Sequence, residues 1–310
     1  MLIRITDKKQ ESIITSFLTE RLIDHQVYRR GNDTFIHTKK EIKTIQGAEL
    51  IHQVTTTPNT SKEVINIGKM TIFSENSFNM IAGPCAIETE KSLRDTAAVL
   101  QNHRVKILRG GANKLRTSPY SYQGKGAEGI VWLSDIAREY ELFSMTEITE
   151  VNEIDYLYKY IDIFLIGTRN MFNYTLLKEL SKQDKPVILK RGMAATIKEW
   201  LLAAEYLSIN GKKNIILCER GIRTFDDTLR NTFDLAAALY VLLQTPYFVI
   251  TDPSHATGNR SLITPLVLAS KAAGLSGAMI EIHPKPDEAL SDGQQMLNFE
   301  EFEHLIQKVE

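Results

Sequence analysis

From about residue 71 onward, short apolar runs alternate with amphipathic segments, and this alternation constrains the fold more than any other feature of the sequence. The apolar runs are strand candidates at 78–83, 105–110, 142–147, 162–167, 186–191, 214–219, 247–252 and 278–283. Segments between or after them repeat apolar residues at three- and four-residue intervals, as helices do, for example 90–103, 129–140, 150–161, 196–207, 228–243, 261–274 and 299–309.

Eight strand–helix units in roughly 240 residues match the size of a closed (β/α)₈ barrel, for which about 250 residues is typical. A doubly wound open sheet is the alternative, but no G-x-G-x-x-G motif follows the first strand. The sequence therefore predicts an α/β protein with a TIM barrel over residues 71–310.

The first 58 residues follow a different order, β-α-β-β-α-β, which is typical of small ferredoxin-like α+β domains. The predicted strands cover 1–6, 25–30, 33–38 and 52–57, and the predicted helices cover 8–22 and 40–51. Polar residues around TPNTSKE predict a linker, taken as 59–70. The small domain carries no catalytic constellation, so regulation competes with a role in folding or assembly.

Composition favours an ordinary cytoplasmic protein. The formal net charge of -1 argues against a broadly basic nucleic-acid-binding surface, and two distant cysteines do not form a disulfide framework. The N-terminus lacks an apolar signal region, and no window approaches the roughly 18 apolar residues of a membrane span. We therefore expect small-molecule substrates, with neither nucleic acid nor membrane as partner.

The active site of a TIM barrel is built at the carboxyl ends of its strands. A thiol, an imidazole and two carboxylates fall at or after these ends: Cys85, His255, Glu281 and Asp292. Each of them alone could be structural, as a buried cysteine, a carbonyl-bonded histidine or a helix-capping aspartate. Their convergence favours a divalent metal such as Mn, Fe, Co or Zn, which accept mixed S, N and O ligands.

Basic residues form a second set at the same ends: Arg109, Lys114, Arg116, Arg169, Lys190, Arg220 and Arg223. Like charges placed together repel one another unless anions lie among them, and guanidinium groups suit phosphate and carboxylate. So many cations predict substrates that carry several anionic groups.

Seven motifs in order carry a resemblance: GPCAIE, RGGANKLRTSPYSYQGKG, IGTRNM, LKRG, CERGIRT, DPSHATG and IEIHPKPDEALSDG. Over residues 65–310 the chain resembles the type I (beta subgroup) 3-deoxy-D-arabino-heptulosonate 7-phosphate synthases, in the form with an N-terminal ferredoxin-like domain. That family condenses phosphoenolpyruvate with erythrose 4-phosphate and releases phosphate, at the entry to the shikimate pathway.

The resemblance implies roles for individual residues. It makes Cys85, His255, Glu281 and Asp292 the metal ligands. It assigns Arg109 and Lys114 to the carboxylate of phosphoenolpyruvate, and Arg169, Lys190 and Arg220 to its phosphate. It assigns Arg116 and Thr117 to the phosphate of the aldose, and Lys114 or His255 to proton transfer. It also implies a homo-tetramer or homo-dimer and an aromatic amino acid as a possible effector.

The chain departs from the family pattern at a few positions near the predicted site. Leu115 stands where the family usually has proline, and Thr168, Phe172, Asn259 and Ser261 also differ from the usual residues. None of these is a predicted ligand or phosphate contact. A related synthase for another aldose, such as arabinose 5-phosphate or a mannosamine derivative, and a catalytically silent regulatory paralogue are the alternatives. A fused chorismate mutase is disfavoured because the N-terminal region does not read as all-helical.

Overall fold

A computed structural model describes residues 2–5, 8–30, 33–38, 49–51, 62–116 and 118–309. The chain divides into two compact units, Met1–Asn59 and Thr60–Glu310. None of the helices in the described part of the chain combines the length and the apolar character needed to cross a lipid bilayer.

The first unit contains a four-stranded antiparallel sheet and one described helix. Its elements are β1 (Leu2–Ile5), α1 (Lys8–Glu20), β2 (His25–Arg30), β3 (Asp33–Thr38) and β4 (Glu49–Ile51). The strand order is β2-β3-β1-β4, and Ile3, Ile5, Ile14, Leu18 and Ile36 form a small buried core.

The second helix of this unit was predicted over 40–51, and its end is wrong, because Glu49–Ile51 pair with β1 as a strand. An extended Leu50–Ile51 pair suits a sheet edge as well as a helix, and pairing with β1 decides between them. The rest of that helix and the predicted strand 52–57 lie outside the described residues. The ferredoxin-like assignment therefore stays a prediction.

The second unit begins with an antiparallel hairpin, β5 (Ile65–Ile67) and β6 (Met70–Phe73), within and just after the segment predicted as a linker. Eight parallel strands follow: β7 (Asn79–Gly83), β8 (Ile107–Arg109), β9 (Phe143–Glu147), β10 (Ile163–Ile166), β11 (Val187–Lys190), β12 (Ile215–Glu219), β13 (Phe248–Thr251) and β14 (Gly277–Glu281). Each pairs with the next, and β14 pairs with β7. The predicted (β/α)₈ barrel is confirmed.

Helices connect the strands and follow the last one. They are α2 (Glu90–Asn102), α3 (Gly126–Glu139), α4 (Ile154–Tyr160), α5 (Tyr174–Leu180), α6 (Ile197–Ser208), α7 (Leu235–Gln244), α8 (Pro253–Thr257), α9 (Ile263–Ala272) and α10 (Phe299–Val309). Side-chain caps fix several starts; the Thr196 hydroxyl, for example, accepts a hydrogen bond from Glu199 N at the start of α6.

Three helices differ from the prediction. Helices α5 and α8 were not anticipated, and α7 begins at Leu235 rather than near residue 228. The Asp234 side chain caps α7 by accepting from Ala237 N, and it also pairs with Arg191 at 2.9 Å. These contacts place residues 228–234 in the loop after β12, at the end of the barrel that carries the site.

The barrel interior is filled by apolar side chains from alternate strand positions, such as Ile81, Ile216 and Met279. Cys218 belongs to this core, as a small buried hydrophobe. The hairpin adds Ile65, Ile72 and Phe73, and the Phe73 and Phe248 rings lie 5.7 Å apart near the start of β13. The packed interior leaves the carboxyl ends of the strands to carry the chemistry.

Candidate active site

The structure brings together the four residues predicted as metal ligands. Cys85 follows β7, His255 lies in α8 just after β13, Glu281 ends β14, and Asp292 precedes a 3₁₀ turn at Gly293–Gln295. One donor atom from each lies within 4.8 Å of all the others. The four side chains therefore form a compact cluster with one sulfur, one nitrogen and two carboxylate oxygens.

Cys85 is fully buried, and its Sγ lies 3.1 Å from Asp292 Oδ2. Burial, with the nearby Glu281 carboxylate as a further cause, raises the pKa of the Cys85 thiol to about 12. A thiol in such a place is a poor nucleophile, but a divalent metal stabilises its thiolate. The surroundings of Cys85 suit a metal ligand better than a covalent catalyst.

Asp252 orients His255. It caps α8 by accepting from His255 N at 3.0 Å, and its Oδ2 lies 2.8 Å from His255 Nδ1. Burial lowers the pKa of His255 to about 4, so the imidazole is neutral near pH 7. Nε2 lies 3.4 Å from Glu281 Oε1 and faces the cluster, as a metal-binding nitrogen supported by a carboxylate would.

Both carboxylates of the cluster are held ionised. Burial alone would raise the pKa of Glu281, but His255 and Arg109 outweigh it and lower the pKa. Burial also acts to raise the pKa of Asp292, but the hydrogen bond from the Cys85 thiol and the charge of Arg230 lower it to about 2. Glu281 Oε1 is buried and accepts no hydrogen bond within the described residues. Arg109 Nη2 lies 3.2 Å from this oxygen but forms no hydrogen bond with it. An anionic oxygen without a hydrogen bond can take a metal ion as a further partner, so the donor set fits a divalent metal.

Buried cations surround the cluster. Arg109 ends β8, is almost fully buried, and lies 3.2 Å from Glu281 through Nη2. Its Nε and Nη1 have no hydrogen-bond partner in the described part of the chain. Two buried donors pointing to no acceptor fit a planar anion such as a carboxylate.

The remaining predicted contacts line the same pocket, apart from one. The pocket includes Lys114, Arg116, Arg169, Lys190 and Arg220. Thr117 lies outside the described residues, so its predicted contact is a proposal only.

Three of these cations are fixed by neighbours. Lys190 Nζ lies 2.5 Å from Asp252 Oδ2, Arg220 Nη2 donates to His255 O at 3.1 Å, and Arg116 Nη1 lies 3.4 Å from Asp292 Oδ2. The cationic and metal-ligand sets therefore share side-chain contacts and form one site.

Sequence reasoning did not single out Arg230 and Gln295. Arg230 fell within the segment predicted as a helix, although it lies in the loop after β12 and reaches 3.7 Å from Asp292 Oδ1. Gln295 is fully buried three residues after Asp292. A polar residue so close to a predicted ligand in sequence was the one available signal.

Residues 53–310 match the DAHP synthetase I family. The chain is 44% identical over 246 residues to the phospho-2-dehydro-3-deoxyheptonate aldolase of Thermotoga maritima, covering 79% of this chain and 72% of that protein. It is 28% identical over 248 residues to a 2-dehydro-3-deoxyphosphooctonate aldolase of Coxiella burnetii, covering 74% of this chain and 88% of that protein.

Two solved structures resemble the chain. A crystal structure of the Thermotoga maritima heptonate aldolase matches with a TM-score of 0.80 and 35% identity, over 99% of this chain and 95% of that one. A truncated form of 3-deoxy-D-arabino-heptulosonate 7-phosphate synthase from the same organism matches with a TM-score of 0.74 and 40% identity, over 80% and 91%.

Proposed function

The chain belongs to the DAHP synthetase I family, and from this premise we propose that it condenses phosphoenolpyruvate with erythrose 4-phosphate and releases phosphate. The observation that carries the proposal is the joining of two sets in one pocket: a cluster of four potential metal ligands, and buried cations whose donors lack partners within the described residues. Both sets suit an aldol-type condensation of two anionic substrates.

Cys85, His255, Glu281 and Asp292 would hold the divalent metal. A metal in this place supplies Lewis-acid polarisation of the aldehyde carbonyl. Asp252 keeps the His255 ring in place, and Arg109 lies against Glu281, so the ligand cluster and the anion pocket are mechanically coupled. Zn, Fe, Mn and Co all suit this donor set.

Arg109 and Lys114 are proposed to bind the carboxylate of phosphoenolpyruvate, and Arg169, Lys190 and Arg220 its phosphate. The Nε and Nη1 of Arg109, which have no hydrogen-bond partner among the described residues, support the first assignment. Fixed cations offset the repulsion between two anionic substrates and hold their reacting carbons in line. Arg116 and Thr117 are proposed to bind the phosphate of the aldose.

Carbon–carbon bond formation joins C3 of phosphoenolpyruvate to the aldehyde, water adds at C2, and phosphate leaves with cleavage of the C2–O bond. Lys114 and His255 were both predicted for proton transfer. His255 Nδ1 lies beside Asp252 Oδ2, and Nε2 faces the ligand cluster, where it would bind the metal. Lys114, which lines the pocket, is the proposed proton donor.

A related synthase for a five-carbon aldose is the second candidate, because the octonate aldolases also match the chain. Addition of a three-carbon unit to a four-carbon aldose gives a heptonate, and addition to a five-carbon aldose gives an octonate. The heptonate relative is the more similar of the two, at 44% against 28% identity.

The test is consumption of phosphoenolpyruvate with erythrose 4-phosphate or arabinose 5-phosphate, followed by ultraviolet absorbance and by mass of the product. We expect turnover with erythrose 4-phosphate, loss of turnover after chelation, and recovery when a divalent metal is restored. Turnover that survives complete metal removal would contradict the metal assignment. A faster reaction with the five-carbon aldose would select the second candidate.

Residues 1–58 are proposed to regulate the barrel in response to an aromatic amino acid, and the chain is proposed to assemble as a homo-tetramer or homo-dimer. All proposed catalytic groups belong to the second unit, and this supports a regulatory role for the first. Light scattering of the purified chain measures the assembly state.

A further inference from the structure

Gln295 uses both ends of its side-chain amide beside the ligand cluster. It is fully buried, and Nε2 donates to Glu281 Oε2 at 2.5 Å. Oε1 accepts from Arg230 Nη1, also at 2.5 Å. One amide therefore connects a proposed metal ligand to a cation.

Arg230 fixes which way round the amide lies. A guanidinium group only donates hydrogen bonds, so the amide oxygen must face Arg230 and the amide nitrogen must face Glu281. Arg230 Nη1 also lies 3.7 Å from Asp292 Oδ1. The Gln295–Arg230 pair thus touches both carboxylates of the cluster.

The backbone holds Gln295 in position. Gln295 N donates to Asp292 O at 3.1 Å, and Leu297 N donates to Glu281 O at 3.0 Å, so the turn is attached at both sides. Gly293 allows the turn to lie against Pro286 O, because a Cβ at residue 293 would come within 2.1 Å of that oxygen. The amide is presented from a constrained turn rather than from a mobile loop.

We infer that Gln295 is a positioning residue of the metal centre. Its amide nitrogen binds Glu281 Oε2, so that Oε1 is the oxygen that faces the cluster. Arg230 fixes the orientation of the Gln295 amide. Glu281 Oε1 lies 3.4 Å from His255 Nε2 and 3.2 Å from Arg109 Nη2, and it accepts no hydrogen bond in the described part of the chain. This inference rests on the proposed metal-dependent function. Loss of such an outer contact typically lowers metal affinity about 10–100-fold.

The test compares metal binding to the metal-stripped, full-length protein for wild type, Gln295→Leu and a matched control, Gln294→Leu. Gln294 is the exposed residue next to Gln295 in the same turn. Titration calorimetry with Co²⁺ or Mn²⁺ gives the affinity, and the thiolate-to-Co²⁺ absorption band reports ligation by Cys85 without any turnover. We expect Gln295→Leu to bind about 10–100-fold more weakly with an altered band, and Gln294→Leu to match wild type.

A second pair of variants keeps the inference testable if Gln295→Leu does not fold. Arg230→Met removes the donor that orients the amide, whereas Arg230→Lys keeps a donor, so the lysine variant should retain more of the metal affinity. Thermal unfolding of the metal-free proteins identifies the folded variants. Wild-type affinity in folded Gln295→Leu, or equal affinity in Arg230→Met and Arg230→Lys, overturns the inference. Failure of the wild type itself to bind metal overturns the proposed function instead.

Discussion

Lys190 ends β11, Arg220 follows the neighbouring strand β12, and both are proposed to bind phosphate, but their contacts differ in kind. Lys190 forms a buried pair with Asp252, which also touches His255. Removal of Lys190 would leave an unpaired buried carboxylate and disturb the histidine. Arg220 contacts carbonyl oxygens, His255 O among them, so its removal leaves no buried charge behind.

Arg220→Met is therefore the sharper test of the phosphate pocket. We expect the KM for phosphoenolpyruvate to rise about 10–100-fold, because a hydrogen bond to a charged group contributes about 1.5–3 kcal/mol. The KM for the aldose should change much less. Steady-state kinetics measures both. Arg223→Met is the control, because Arg223, although predicted in the cationic set, is exposed on the same loop and is not among the residues that line the site pocket. Equal increases for the two substrates would show that the pocket is misassigned.

Glu219 is a buried carboxyl at the end of β12 whose pKa burial raises to about 7. Its Oε1 accepts from Gly221 N, while the charges around it are Arg191, Arg220 and Asp234. Ionisation of this group is costly in the folded protein and not in the unfolded chain.

The folded state therefore holds a proton on Glu219 between about pH 4.5 and 7, where the unfolded chain has released it. Stability contributed by this group is present below pH 4.5 and is lost as the pH rises through 7. We expect the free energy of unfolding of wild type, relative to Glu219→Gln, to fall by about 3 kcal/mol across that window, at roughly 1.4 kcal/mol per pKa unit. Urea denaturation in EDTA measures it, and parallel pH profiles would contradict the assignment.

At the scale of elements, the strands were easier to predict than the helices. All eight barrel strands were predicted, because buried parallel strands read as uninterrupted apolar runs. Helix α5 is only seven residues long, which gives a weak periodic signal. The start of α7 was placed too early because residues 228–234 continue a helical apolar pattern, whereas the structure uses them as a loop at the site.

Glu88 joins two loops that each carry a proposed ligand. It follows Cys85 by three residues, and its Oε1 accepts from Leu290 N at 2.8 Å, close to Asp292 in sequence. Glu88 Oε2 also lies 3.6 Å from His283 Nε2. The loop after β7 and the loop after β14 are thereby held together.

We expect Glu88→Ala to release the Leu290 amide, since that amide loses its acceptor. Hydrogen exchange at Leu290 should accelerate roughly fivefold, the equivalent of about 1 kcal/mol for one hydrogen bond. Glu288→Ala is the control, because Glu288 is exposed on the same loop and pairs with Lys285. Exchange in Glu88→Ala that matches the control would mean that the loop is held by other contacts.

For the whole molecule, the predictable part of the site was the part fixed by topology. A closed parallel barrel gathers the residues that follow its strands at one end, so Cys85, His255 and Glu281 could be placed together from the strand list alone. Contacts that depend on loop conformation could not be predicted in this way. Gln295 and Arg230 meet only because the loops after β14 and β12 fold towards each other.

The boundary between the two units also depends on contacts that the sequence does not reveal. Lys62 Nζ donates to Leu242 O and Thr245 O at the end of α7, and Ile65 is buried in the barrel core. Residues 62–73 thus belong to the barrel unit, although part of this range reads as a polar linker. A truncation that tests the first unit must therefore begin near Thr60.

Removal of residues 1–59 should leave a folded, active barrel that has lost inhibition by tyrosine or phenylalanine. The second unit keeps its own core, and a truncated form of the Thermotoga maritima synthase matches 80% of this chain. A truncation starting at residue 74 is the structural contrast: it removes Ile65, Ile72 and Phe73, which are buried in the barrel core, and should lower the melting temperature markedly.

Activity assays with each amino acid, on the intact chain and on the truncation near Thr60, measure the regulatory effect. An effector shifts an equilibrium between two states only by the difference in its affinity for them, typically about 1–3 kcal/mol. We therefore expect the effector to change substrate affinity by about 5–150-fold. If the shorter protein is inhibited as strongly as the intact chain, or the intact chain responds to neither amino acid, the first unit has a role in stability or assembly instead.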